Sequence, residues 1–191
     1  MIPVETLEAK IERVLRDRIE LLPYDPAWPE RFEEEKRHLQ GCLPEGLLVR
    51  IEHFGSTSLP GMTAKPVIDM LVEVTDLDMV RTEAVPILEA QGYDCFWRPQ
   101  PEGCTPRHYP WSIKRDRDGR RTHHIHMTVR DSTLWEGLAF RDYLLGHPDA
   151  AARYGELKRD LAVRFPDDRV AYTEGKTDFV REILDTARKQ G

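Results

Sequence analysis

Apolar residues near the start of the chain recur at Val4, Leu7, Ile11 and Val14. This is the spacing of one helix face, so the pattern predicts an amphipathic helix over residues 5–18. Its apolar stripe must be covered by the domain or by a second subunit, which makes a homodimer one expectation. Ile19 to Leu22 reads as a short strand that stops at Pro23, and Asp25-Pro26 opens a turn. Residues 27–40 predict a helix with Trp28 and Phe32 on one face.

Leu47–Phe54 and Pro66–Val74 both read as strands. The second is apolar on both faces apart from Asp69 and Glu73, which places it centrally in a sheet. Glu73 is expected at the strand end, in solvent. Residues 76–91 predict a helix stopped by Gly92, and Tyr93–Trp97 predicts a strand. The Pro- and Gly-bearing segment Arg98–Arg107 is expected to be a mobile loop and a candidate lid.

His108–Lys114 and Arg121–Val129 form the clearest hairpin, with turn chemistry at Asp118-Gly119. The charged turn between them reads as a solvated loop rather than a binding patch. Thr133 and Glu136 fit a capping box for a helix ending near Gly146. A second helix runs from Pro148 to about Arg164. A last one begins between Asp168 and Thr173 and runs to Lys189. The order is helix, mixed strands, then helices, which predicts an α+β fold with a mixed β-sheet flanked by helices.

At 191 residues the chain is long enough for one domain with a real core. The expected division is a helical extension over residues 1–18 and one domain over residues 19–191. The net charge of −6 argues against general nucleic-acid binding and leaves room for a local basic pocket. Cys42, Cys95 and Cys104 show no paired spacing and read as reduced thiols. No signal-peptide segment and no membrane-length apolar run is visible, so a cytoplasmic protein without a membrane partner is expected.

Three features carry chemistry. Gly55-Ser56 follows a strand, and such a turn presents backbone N–H groups and a hydroxyl to an anion. Asp69 is a carboxylate inside an apolar strand, costly unless paired or metal-bound; the structural alternative is an Asp bonded to backbone amides or Lys65. In His123-His124-Ile125-His126-Met127 the strand period sends His124 and His126 to one face, where they can bind a metal or phosphate oxygens. His123, on the other face, reads as structural or exposed. Lys65, held extended before Pro66, and Lys176, near the start of the last helix, are candidate phosphate ligands. Lys114 and Arg121 can add positive charge from the hairpin. Tyr109 and Trp111 share a strand face and read as core rather than as a base-stacking platform.

The chain resembles the GrpB family of small bacterial proteins, whose domain is also found fused to some dephospho-CoA kinases. The resemblance rests on Pro23-Tyr24-Asp25-Pro26-x-Trp28, Ile51-Glu52-His53-x-Gly55-Ser56-Thr57-Ser58-x-Pro60-Gly61, Lys65-Pro66-x-Ile68-Asp69 and His124-x-His126. It continues through Phe140-Arg141-Asp142-Tyr143-Leu144, Tyr154-x-x-Leu157-Lys158 and Tyr172-x-x-x-Lys176-x-x-Phe179. It implies a fold similar to the polymerase-β-type nucleotidyltransferases. There a Gly-Ser turn grips a triphosphate, and an Asp-x-Asp pair with a third carboxylate holds two Mg²⁺ ions. Asp69 matches the first acid, the second position is Leu71, and the third corresponds to His124 or His126. One Asp and two neutral imidazoles suit a single, softer ion better than two hard ones.

The resemblance therefore implies a protein that handles a nucleotide or phosphorylated small molecule. In this reading Gly55, Ser56, Thr57 and Ser58 cradle phosphates, and Lys65 and Lys176 neutralise a leaving group. Asp69 and His126 are the catalytic candidates. Asp69, His124 and His126 hold one divalent metal, Mg²⁺ or Mn²⁺, with Zn²⁺ as the softer choice. The alternative is a non-catalytic module that binds a nucleotide or CoA precursor and supports a partner enzyme.

Overall fold

The computed structural model describes residues 7–16 and 18–190. Val4, the first residue of the predicted amphipathic stripe, lies outside them. Helix α1 (Leu7–Arg16) is tied to the domain through Lys10–Glu89 (2.9 Å) and Arg13–Asp94 (2.6 Å) ion pairs. Helix α2 (Trp28–Cys42) then leads into a mixed five-stranded sheet built from β1 (Leu48–Phe54), β2 (Ile68–Val74), β3 (Asp94–Pro99), β4 (His108–Arg115) and β5 (Arg121–Thr128). The strand order is β1-β2-β5-β4-β3, with β2 and β5 parallel and every other pair antiparallel. The strand read as fully apolar, β2, lies inside the sheet as its pattern requires.

The two faces of this sheet do different work. Ile68, Met70, Val72 and Val74 of β2, with Ile51 of β1 and Ile125 and Met127 of β5, pack into one cluster with Trp28, Phe32 and Leu39 of α2. Val80, Ala84 and Leu88 complete it from the segment α3 (Leu77–Met79), a π-helical turn (Val80–Ala84) and α4 (Val85–Ala90). Met70, Ile125 and Leu39 are fully buried, each stabilising the fold by about 1.5–3 kcal/mol. The opposite face carries Phe54, Asp69, Leu71, His124, His126 and Trp111, brought into line by the registers Phe54↔Asp69, Asp69↔His124, Leu71↔His126 and Trp111↔His126. Helices α5 (Glu136–Gly146), α6 (Pro148–Arg164), α7 (Arg169–Glu174) and α8 (Thr177–Gln190) belong to this side. Their own apolar clusters gather Leu144, Tyr154 and Ile183, and Ile19, Leu161 and Tyr172.

Several expectations change. Ile19–Leu22 is not a strand: it makes a single bridge, Leu22↔Ala64, while the Ile19 N–H turns away to Pro166 O at 2.9 Å. Glu73 is buried, not solvated, since β1 sets Arg50 beside it and the two pair at 2.7 Å. The helix after β2 starts as predicted, with Asp76 Oδ1 accepting from the Asp78 (2.6 Å) and Met79 (3.3 Å) N–H groups. It widens at Val80–Ala84, just before Pro86, which has no N–H to continue the regular ladder.

Thr133 and Glu136 form no capping box. Ser132 caps instead, accepting from Leu134 N–H at 3.1 Å, while the Thr133 hydroxyl donates to Thr105 O. The final helix is two, α7 and α8, broken at Gly175, where a Cβ would run into Leu161 Cδ2. The predicted loop starts two residues late, because β3 extends to Pro99, and Gln100 N–H to Arg107 O (2.9 Å) ties its ends together. No described helix is long and apolar enough to cross a membrane.

Candidate functional site

Between the Asp69 face of the sheet and helices α5–α8 lies a cavity of about 850 Å³. Gly55, Ser56, Lys65, Asp69, His124, His126 and Lys176 all line it. Seven residues that are scattered over more than a hundred positions thus converge because β2 and β5 are parallel neighbours and the last helices fold back over them.

Asp69 Oδ1 accepts a hydrogen bond from His124 Nδ1 at 3.0 Å. The Asp69 side chain is 30% exposed, but that exposure opens onto the cavity, not bulk water. Burial opposes its ionisation. The His124 hydrogen bond and the neighbouring His126 and Lys65 outweigh that and hold its carboxyl down at about 2. Burial acts in the opposite sense on the imidazoles, pushing His124 down and His126 down to about 3, so both are neutral near pH 7. His126 is walled by the Phe54 ring at 5.3 Å edge-on and the Tyr109 ring at 5.7 Å. Asp69, His124 and His126 each offer one ligand atom, all within 4.8 Å of one another.

Gly55 has φ +72°, and a Cβ there would sit 2.5 Å from Asp69 Oδ2. Only glycine lets the turn close on the carboxylate. Of the expected phosphate cradle, Ser56 faces the cavity, where its hydroxyl meets that of Tyr154. Ser58 does not reach it: its hydroxyl is spent inside the turn on Gly55 O at 2.6 Å. Thr57 is fully buried and borders the cavity, but its hydroxyl bonds His53 Nε2 (3.0 Å) and Val67 O (3.4 Å). A sequence read alone cannot show which hydroxyls of a Ser-Thr-Ser turn point inward.

The cavity is far more cationic than a chain of net charge −6 suggests. Lys65 and Lys176 stand over the buried Tyr172 ring at 5.3 and 4.7 Å. Burial, with the nearby Arg169 acting in the same direction, pushes Lys65 down to about 7 and Lys176 down to about 8. Lys158, over the Tyr154 ring at 4.9 Å, donates to Thr63 O and is lowered to about 7 by burial. Arg121 approaches His124 Nε2 at 3.5 Å. Lys114, the other cation expected from the hairpin, instead crosses to the opposite face and pairs with Glu35. His123 also stays on that face, against Thr122 Oγ1 (3.0 Å) and Arg31 O (3.4 Å), in a structural role.

Tyr154, Lys158 and Tyr172 entered the sequence reading only as motif residues without a role in the site, and Arg169 not at all. A signal existed: Tyr154/Lys158 and Tyr172/Lys176 share a Tyr-x-x-x-Lys spacing. Trp111 is not simply core, since its ring lines the cavity 5.2 Å from that of His124.

A model described as GrpB protein matches residues 18–186. The chain belongs to the GrpB family. It is 43% identical over 173 residues to a UPF0157 protein of Pseudomonas aeruginosa, covering 90% of this chain and 68% of that one. With the UPF0157 protein YqkA of Bacillus subtilis it shares 37% identity over 90% of this chain but only 48% of the relative, so it spans about half the length of that protein. A dephospho-CoA kinase of Mycolicibacterium paratuberculosis matches at 29% identity over 89% of this chain and 46% of its own length. Among solved structures, the conserved protein GrpB from Enterococcus faecalis superimposes with a TM-score of 0.77 at 36% identity, covering 90% of this chain and 98% of that one. The mixed sheet with flanking helices is therefore the architecture of a GrpB protein.

Proposed function

We propose that this GrpB protein binds a nucleotide or another phosphorylated small molecule in the cavity, with one divalent cation at Asp69, His124 and His126. The observation that carries the reading is the meeting, in one cavity, of that triad with Lys65, Lys158, Lys176 and Arg121. Buried ammonium groups are expensive without anions. Among the described residues Lys65 and Lys176 have no carboxylate within 4.0 Å, so a phosphate supplies what the fold withholds.

In the enzymatic form of this reading, Ser56 and the Gly55 turn orient the phosphate and the lysines offset charge on the leaving oxygen. The His124–Asp69 pair keeps a neutral imidazole beside the reacting group. The non-catalytic form, a module that binds a nucleotide or CoA precursor for a partner enzyme, is favoured by one observation: Leu71 stands where a second metal-binding acid would be needed.

The test is a thermal-shift screen of nucleoside mono-, di- and triphosphates and CoA precursors, each with and without Mg²⁺, Mn²⁺ and Zn²⁺. A ligand at a hundredfold excess over its Kd raises stability by ~2.7 kcal/mol. Stabilisation that disappears in Lys65→Met and Lys176→Met supports the reading, and a screen without a single shift overturns it. Release of pyrophosphate from a stabilising triphosphate separates the enzyme from the module.

A further inference from the structure

The donor set on the cavity face says which ion belongs there. Two-metal phosphoryl transfer rests on several carboxylates that offset two close, hard cations. Besides Asp69, three acids on this side of the sheet are already engaged, while Glu174 of α7 borders the cavity from its exposed position. Glu52 faces Arg141 at 3.5 Å, Glu73 pairs with Arg50 at 2.7 Å, and Glu136 pairs with Arg188 at 2.6 Å. Leu71, fully buried, occupies the next cavity-facing position of β2 after Asp69. The residues present therefore do not fit a pair of Mg²⁺ ions. Among the described residues, Asp69, His124 and His126 are the one group of three such side chains with ligand atoms within 4.8 Å.

We infer that Asp69, His124 and His126 form a single-ion site for a late first-row transition metal of the Zn²⁺ class, with an open coordination position facing the phosphate-binding cations. The inference rests on the phosphate reading above and goes past it by naming the ion. Three arguments support it. Imidazole favours Zn²⁺ and its neighbours in the late first row, whereas Mg²⁺ takes six oxygens in a near-ideal octahedron and dehydrates reluctantly. Three protein donors and one free position is the arrangement of a zinc site that receives a ligand rather than a closed structural one. Finally, Arg121 borders the same cavity with a fixed positive charge, and Lys65 and Lys176 line it as basic groups that an anion would keep protonated.

The experiment uses the full chain, stripped with a chelator and titrated by calorimetry with Zn²⁺, Co²⁺, Mn²⁺ and Mg²⁺, with visible absorption followed for Co²⁺. The expected result is one equivalent of Zn²⁺ or Co²⁺, intense Co²⁺ bands that Zn²⁺ abolishes, and Mg²⁺ binding at least about tenfold weaker. Asp69→Asn and His126→Gln should each lose that equivalent while keeping a cooperative melt without metal. If either variant fails to fold, the wild-type Co²⁺ spectrum and stoichiometry decide alone. Two bound equivalents, Mg²⁺ as tight as Zn²⁺, or full Zn²⁺ retention by the folded variants overturns the inference.

Pyrophosphate added to the stripped protein separates the two readings. Stabilisation by pyrophosphate in a protein that binds no Zn²⁺ keeps the phosphate reading and overturns the metal site, leaving Asp69–His124 as a metal-free pair. Stoichiometric Zn²⁺ with no response to pyrophosphate or any nucleotide, loaded or stripped, upholds the metal site and removes the phosphate reading.

Discussion

Gly55 and Asp69 are in contact in a way that only a glycine permits: a methyl group on Gly55 would lie 2.5 Å from Asp69 Oδ2. The turn that is the candidate phosphate cradle is therefore built directly against the candidate metal-binding carboxylate. Gly55→Ala adds that methyl at φ +72°, which strains both backbone and contact. The expected cost is about 1–3 kcal/mol of stability, with loss of ligand-induced stabilisation. Urea denaturation and thermal shift with pyrophosphate measure the two effects, and unchanged values in both would show that the close approach is dispensable.

The histidines predict how the protein responds to acid. Burial lowers His126 from 6.5 to about 3 and His53 from 6.5 to about 4. Each group is a base whose folded form refuses a proton that the unfolded chain accepts, so stability falls as pH drops from 6.5 towards 4. Asp69 is shifted in the same downward sense but in a lower window: its contribution is present above 3.8 and disappears as pH falls to about 2. His126→Gln should flatten the dependence between pH 6.5 and 4 by up to about 1.4 kcal/mol per pH unit. Chemical denaturation across that range checks the slope.

Lys65 and Lys176 should separate stability from binding. Their ordinary value is 10.5, and the folded protein lowers them to about 7 and about 8. The unfolded chain binds those protons more tightly, so at pH 7 each lysine costs folding free energy. Lys65→Met and Lys176→Met should each stabilise the ligand-free protein by about 1–3 kcal/mol and weaken pyrophosphate binding. A variant that loses stability and keeps binding would place its lysine in a structural role over Tyr172.

Leu71→Asp tests whether the site has the layout of a two-metal one. The registers Phe54↔Asp69 and Leu71↔His126 put position 71 on the cavity face. The new acid should raise Mg²⁺ and Mn²⁺ affinity at a cost of about 2–4 kcal/mol, because an unpaired buried carboxylate is expensive. Calorimetric titration of the folded variant reads the affinity, and no gain would mean that the added oxygen does not reach the ion.

What the sequence determined by itself is what short-range periodicity can carry. Strand alternation placed His124 and His126 on one face and His123 on the other. The apolar run of β2 marked Asp69 as a buried carboxylate in a central strand. The Gly-Ser turn after β1 stood out by position alone. Only the tertiary structure decided the rest, because it depends on what arrives from distant parts of the chain. Glu73 is buried because Arg50 of the neighbouring strand meets it. Lys114 leaves the site because Glu35 of α2 takes it on the opposite face. Ser58 is lost to the cradle because its hydroxyl closes its own turn. Lys158, Arg169 and the two tyrosines reach the cavity because α6 and α7 fold back over the sheet. Alternation along a strand fixes a side chain's face, but burial and partnership are set by packing between segments, which local pattern does not encode.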